Sequence, residues 1–325
     1  MNGMMVEATA AVMPWPGVTA PYPGLEDGVP EMEPQNASAP ELPSFRMERS
    51  AILDLDSALR EEWLVTNGLG DYAAGTALGV ETRCYQGLLV SGAGSPSAPM
   101  LLLARVHETI ETGEDSYELH TCEYHDGTIH PPGYIFLQEF RLEKGLPVWR
   151  YRCRDVEIEK TLWMEHGMSA VFIRYRLLAA DNPVWLRLEP FAAHREPLGH
   201  TRGHHGWRFD VEIDADVCRV EAFPGAVPLW LRLAGGRFTE TGLWYWRFLH
   251  RHEAGYDRLE DLYTPVVGGI ALAEGQSVTL VASARREEVE MDATASYARE
   301  VVRRAGSGDT GRLRWPPAID GDRRV

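Results

Sequence analysis

Lysine is almost absent. Of 325 residues, only Lys144 and Lys160 carry an ammonium group, so positive charge falls to arginine, a bias expected of GC-rich coding. Acidic residues outnumber basic ones by 48 to 32, giving a formal charge of −16. That balance argues against a nucleic-acid backbone or an acidic membrane as partner, since both need a basic face, and is compatible with a neutral polyol. Cysteine is also scarce. Cys84, Cys122, Cys153 and Cys218 are widely spaced with no CxxC pair, which points to free thiols rather than disulfides or a metal site. No stretch approaches the roughly 18 apolar residues of a membrane span. The N-terminus has neither a positive n-region nor a sustained apolar h-region. Together these absences predict a cytoplasmic protein.

What is present is mostly strand. Residues 1–45 are proline-rich, acidic until Arg46 and without apolar period, which predicts a disordered leader. From 46 to 285, runs with period-two alternation or β-branched and aromatic enrichment recur at 85–91, 100–106, 117–122, 134–141, 148–153, 156–164 and 170–178. They continue at 184–191, 207–213, 217–223, 229–233, 266–272 and 278–282. Turn residues such as Asp126-Gly127, Pro131-Pro132-Gly133, Lys144-Gly145 and Gly235-Gly236 separate them. Many short strands without long intervening helices predict a mainly β protein, a large antiparallel two-sheet sandwich of supersandwich size. Residues 286–325 differ. Asp292–Ala305 places Ala293, Tyr297, Ala298, Val301 and Val302 at helical spacing, with Arg303 and Arg304 near a Gly306 stop, so a connecting helix is predicted, followed by a polar tail.

The densest glycine stretch, TNGLGDYAAGTALG (66–79), invites a phosphate-loop reading and fails it. Gly70 and Gly75 have Walker A spacing, but Thr76 and Ala77 follow where lysine and Ser/Thr belong. The GxGxxG alternative has Ala73 at the third glycine, and a strand rather than a helix comes next. Asn67-Gly68 instead predicts a tight hairpin turn with positive φ at both central residues.

Other chemistry-bearing groups are weighed against plainer roles. His200 and His204 make an HxxxH within the cluster His194, His200, His204 and His205, a zinc-like spacing, but glycines at 199, 203 and 206 favour a solvated loop. Glu253, Asp257, Glu260 and Asp261, and Glu111, Glu114 and Asp115, are clustered carboxylates of the kind a glycosidase pairs; surface charge is the default reading. Trp230, Trp244 and Trp246 could stack on sugar rings or pack in a core. There is no GxSxG elbow and no persuasive Cys/His nucleophile pair.

These stretches join in one resemblance. EEWLVTNGLGDYAAGTALGVETRCYQGLLVSG (61–92) resembles the opening signature of the bacterial and archaeal type of glycogen debranching enzyme, approximately EWLxTNGxGGYAxGTxxGxxTRRYHGLLVA. Trp63, Leu64, Thr66, Asn67, Gly68, Gly70, Tyr72, Ala73, Gly75, Thr76, Gly79, Thr82, Arg83, Tyr85, Gly87, Leu88 and Leu89 match in register. PVWRYRCRDVEIEKTLWMEHGMSAVFIRYRLL, LEPFAAHRE and EAGYDRLEDLYTPVVGGIALAEGQSVTLVAS resemble later segments of the same family, so the likeness spans about 46–285. Asp71, Cys84, Gln86, Glu196, Ala254 and Val266 depart from the pattern.

The resemblance implies an N-terminal β-sandwich domain that supports hydrolysis of α-1,6-linked glucose in glycogen. The acids would sit in an (α/α) barrel outside this sequence, either on a separate chain or lost through truncation of the gene, with no metal or cofactor. No catalytic residue is therefore expected here. Trp63, Asn67, Arg83 and Tyr85 are expected to face substrate or the partner domain. A non-catalytic glucan-binding or scaffolding module is the alternative, and an enzyme using acids from 253–261 a third.

Overall fold

The computed structural model describes residues 45–93, 98–113, 115–255, 257–306 and 311–313; the expected leader lies almost wholly outside them. Two antiparallel sheets face each other. The first is nine strands wide and runs β1 (Phe45–Glu48), β9 (Leu137–Glu143), β10 (Leu146–Cys153), β11 (Val156–Met164), β12 (Ala170–Ala179), β19 (Ser277–Ser283), β16 (Leu229–Leu233), β15 (Val217–Glu221) and β14 (Asp210–Asp214). The second runs β17 (Arg237–Leu249), β18 (Leu259–Leu272), β13 (Val184–Arg195), β5 (Met100–Glu111), β4 (Gly87–Ser91), β3 (Tyr72–Thr76), β2 (Glu62–Thr66) and β20 (Arg312–Leu313), with β6 (Ser116–Glu118) against β5. A small hairpin, β7 (Thr121–Glu123) with β8 (Ile129–Pro132), stands apart. The expected two-sheet sandwich is the observed one.

Alternation of apolar side chains builds the core. Along β12, Val171, Phe172, Ile173, Tyr175 and Leu177 are buried, and on β13 Val184, Leu186 and Leu188 alternate with outward Trp185 and Arg187. Between the sheets Trp63 of β2 meets Trp149 of β10 edge-on, ring centroids 5.5 Å apart. The Trp149 indole N–H donates across the core to Ala77 O at 2.8 Å. Burying side chains of this size stabilises by about 2–3 kcal/mol each before entropy is subtracted.

The second sheet also has a covered outer face. Val90, Leu101, Phe191, Ala193 and Leu262 form a separate cluster there with Cys122 and Phe248. Part of its cover is the segment around β7, where Tyr124 stacks on Phe248 at 5.3 Å. Both faces of this sheet therefore bury side chains, which is why its strands read as nearly continuous apolar runs such as MLLLARV.

Several elements differ from the sequence reading. β17 was not anticipated, because its register shifts between Glu240 and Leu243 and again between Tyr245 and Phe248, which destroys period-two alternation. β1, β2 and β3 and the first half of β18 were likewise missed; β2 and β3 are five-residue strands, β2 leading into the glycine-rich stretch and β3 inside it. The run 117–122 divides into β6 and β7.

Short helices α1 (Arg49–Ile52), α2 (Leu55–Ala58) and α3 (Arg286–Val289) precede α4 (Ala293–Ala305) in the chain. The predicted connecting helix is α4, started by Asp292, whose carboxylate accepts from Thr294 N at 2.8 Å and Ala295 N at 3.2 Å. Its buried stripe is not the expected one. Ser296, Glu300 and Arg304 are buried, whereas Val302 is 75% exposed. The stripe is polar because it meets polar groups: Ser296 Oγ accepts from the Trp163 indole at 3.0 Å, and Glu300 pairs with Arg304 at 2.7 Å. The tail after α4 is not featureless either. Residues 311–313 return to pair with β2, Leu64 N donating to Gly311 O at 2.9 Å. All four cysteines are buried and free. Among the described residues no helix is long and apolar enough to cross a membrane.

Candidate functional site

The matching motif folds into β2, β3 and β4 at one end of the second sheet, and its polar residues organise that end. The turn 67–71 is not the expected two-residue hairpin turn. Asn67 is not left-handed; positive φ falls on Gly68 (+78°) and Gly70 (+98°). The Asn67 carbonyl oxygen Oδ1 accepts from Leu69 N at 2.8 Å and Asp71 N at 3.2 Å, a side chain imitating a backbone turn. Its amide Nδ2 donates to Met168 O at 2.7 Å and Asp71 Oδ2 at 3.1 Å. Asp71, the departure from the family pattern, is buried and also accepts from Gly92 N at 2.8 Å and from Ser169 Oγ. The loop thus locks the two sheets together instead of opening toward a phosphate.

Of the four expected site residues, two are inside and two lie together. Trp63 is 1% exposed, its N–H donating to Thr76 O at 3.1 Å, and Asn67 is fully buried. Arg83 and Tyr85 converge on Glu62: Arg83 Nε lies 3.2 Å from Oε1 and the Tyr85 hydroxyl donates to Oε2 at 2.7 Å. Arg83 Nη1 also donates to His252 O at 2.9 Å. Gln86, another departure, accepts Thr82 N at 2.6 Å and Arg83 N at 3.2 Å on its Oε1, fixing the turn that presents Arg83.

The segment 250–261 closes the same region. Arg195 forks onto Glu260, with Nη2 to Oε2 at 2.7 Å, and Thr201 N and His250 Nε2 reach the same carboxylate. Burial pushes Glu260 upward, but Arg195 and these donors outweigh it and hold the carboxyl below its ordinary range. Glu253 is likewise lowered against its burial by Cys84, through its thiol first and then its N–H, which donates at 2.9 Å. Burial, with Glu253 adding to it, pushes the Cys84 thiol up to about 12, leaving it a protonated, inert group. Asp261 accepts Arg247 N at 2.9 Å and Gly203 N at 3.0 Å. Asp257 pairs with Arg202, and Asp115 with Arg154 at 2.6 Å; Glu114 lies outside the described residues. The carboxyls of Glu81 and Glu189, raised by burial, face Arg105 and Arg187. The carboxylates of 253–261 are thus engaged in holding loops, not opposed across a cleft as glycoside hydrolysis requires.

The HxxxH spacing does not assemble a metal site. His200 sits against His250, centroids 5.1 Å apart, while His204 and His205 are exposed beside Trp207 and Trp246. The group with ligand-like proximity among the described residues is one the sequence did not single out: His107, His120 and Cys122. Its geometry suits a neutral packing cluster better than a cation. The two imidazoles stack at 3.7 Å with planes 6° apart, so their in-plane lone pairs run side by side instead of converging on one ion. The Arg105 guanidinium lies 3.2 Å from the Cys122 sulfur. Burial drives the imidazoles well below their ordinary range, His120 to about 3, and pushes the thiol up to about 11.

The tryptophans divide in the same way. Trp244 donates to Trp207 O at 2.8 Å and packs on Tyr263, Trp246 lies 5.9 Å from Trp244, and Trp230 stands under Arg286.

Comparison with known proteins places this architecture. Residues 61–279, more than half of the chain, match the family model described as glycogen debranching enzyme N terminal. Among solved structures, the chain is similar to a bacterial glucoamylase complexed with acarbose, with 9% identity and a TM-score of 0.36; the match covers 87% of this chain and 38% of that one. No curated protein matches.

Proposed function

The chain belongs to the glycogen debranching enzyme N-terminal family, and from that premise we propose that it is the sandwich half of a cytoplasmic debranching system. It would support hydrolysis of α-1,6-linked glucose in glycogen by an (α/α) barrel that these 325 residues do not include. The observation that carries the reading is the family match across both sheets. The commitment of Glu253, Asp257, Glu260 and Asp261 to structural pairs accords with acid and base being supplied elsewhere. In this reading Arg83 and Tyr85, held by Glu62, form part of the face toward the barrel or its glucan. Trp63 and Asn67 lie buried within the same motif.

The test is reconstitution. The chain, mixed with a separately purified debranching-type barrel, should co-elute with it and raise glucose release from a branched limit dextrin. Arg83→Ala should lower that gain. Separate elution with unchanged barrel activity would reject the reading.

A further inference from the structure

An exposed tryptophan lies at the opposite end of the second sheet's outer face, where the matched motif makes no contribution. Trp185 of β13 is 42% exposed. Its indole lies against the backbone of Gly269 on β18: a Cβ at that glycine would fall 2.4 Å from the ring carbon Cζ2, 2.7 Å from Cε2 and 2.8 Å from Nε1. Gly269 therefore leaves the ring the space it occupies against β18, and 42% of the residue stays exposed. The Trp185 N–H has no partner among the described residues.

The ring is also the wall of a shallow cleft, completed by Arg237, Gln276 and Ser277 and by the apolar Ile270, Ala271 and Leu272. Arg237 is exposed and has no ion pair among the described residues. Gln276 uses its Oε1 to accept Ala273 N at 2.9 Å, leaving the amide N–H groups outward. Isolated exposed apolar side chains are ordinary, but this one has a glycine floor, hydrogen-bonding groups on one side and a cleft. Arg237, Gln276 and Ser277 set polar groups beside the single aromatic ring, and Ile270, Ala271 and Leu272 extend the apolar part of the lining. That combination matches a pyranose, whose CH face stacks on an aromatic ring while its hydroxyls reach lateral donors and acceptors.

We propose that Trp185 on Gly269, with Arg237 and Gln276, is a stacking site for a glucose unit of an α-glucan chain. The site rests on the reading that glycogen is the polymer this protein meets. It lies apart from the Glu62, Arg83 and Tyr85 group and acts by holding polymer, with no chemistry of its own.

Affinity electrophoresis of the whole chain through gels containing glycogen tests it. The wild type should be retarded, and Trp185→Ala should weaken binding about three- to tenfold. Trp185→Phe should keep part of the affinity, and Trp246→Ala all of it. Gly269→Ala, which keeps the tryptophan but lifts it from the sheet, should behave like Trp185→Ala, with thermal melts showing each variant folded. No retardation of the wild type, or equal retardation of Trp185→Ala, overturns the site. Barrel activation by Trp185→Ala at saturating soluble dextrin should be intact. If the site fails while activation stands, only this inference falls; if activation fails with retardation present, the debranching role falls and the site remains.

Discussion

Lys160 Nζ of β11 lies 2.5 Å from Glu108 Oε1 of β5, across the interior of the sandwich. Tyr175 donates to the same oxygen at 2.9 Å, and the ammonium sits 5.1 Å from the Trp149 ring centroid. One of the chain's two lysines therefore forms a buried ion pair joining the sheets. Removing one partner strands a charge in a low-dielectric interior, at a cost of about 3–5 kcal/mol. Lys160→Met should lower the unfolding free energy read from urea melts by that order, while Lys160→Met with Glu108→Leu should recover much of the loss. Equal destabilisation by the single and double variants would contradict a coupled pair.

Asp71 tests the loop lock. Its carboxylate serves Asn67, Gly92 and Ser169 together, so Asp71→Ala leaves buried donors unpaired and should cost about 1–3 kcal/mol. Hydrogen exchange should quicken at the Gly92 amide, which the carboxylate holds, in this variant. Unchanged exchange there would mean the carboxylate is dispensable.

Gly68 carries φ +78°, and an added Cβ would lie 2.1 Å from His166 Cε1; Gly70, at φ +98°, has open space around that position. Gly70→Ala should cost about 1–2 kcal/mol from left-handed backbone alone. Gly68→Ala should cost more, because His166 must also move. Melting temperatures in that order check the assignment.

Stability should fall as solutions are acidified from pH 6.5. Burial holds His250 at about 4 and His120 at about 3 in the folded chain. The unfolded chain, with imidazoles near their ordinary 6.5, takes up protons first. The stabilisation is complete above about pH 6.5 and declines toward the folded-state values, by up to about 1.4 kcal/mol per pH unit for each such histidine. Urea melts between pH 7 and 4.5, above most carboxylate titration, should follow this course, with a shallower slope in His120→Asn. A flat profile would mean that the histidines are not held neutral.

The apolar alternation, the turn residues between runs and the Asp292-to-Gly306 helix signals were readable in sequence because they express local backbone preferences. So was the family motif at 61–92. The unanticipated strand β17 shows where local reading stops. Bulges opposite Pro265 and Asp261 scramble its period, and the ladder exists only because β18 supplies the hydrogen bonds. Trp63 and Asn67 looked like exposed recognition groups, yet both are buried, Trp63 bonded to Thr76 and Asn67 to Asp71 and Met168.

The sequence by itself determined the two-sheet class, the helix and the family, each of which depends on the order and periodicity of neighbours. Tertiary structure alone decided which polar residues are spent. Asp71, Glu260 and Asp261 became loop anchors once their donors arrived from segments distant in the chain. Trp185 became an exposed ring held against the sheet only when β18 brought Gly269 beside it. Burial and partnership are properties of juxtaposed strands, and no single segment carries them.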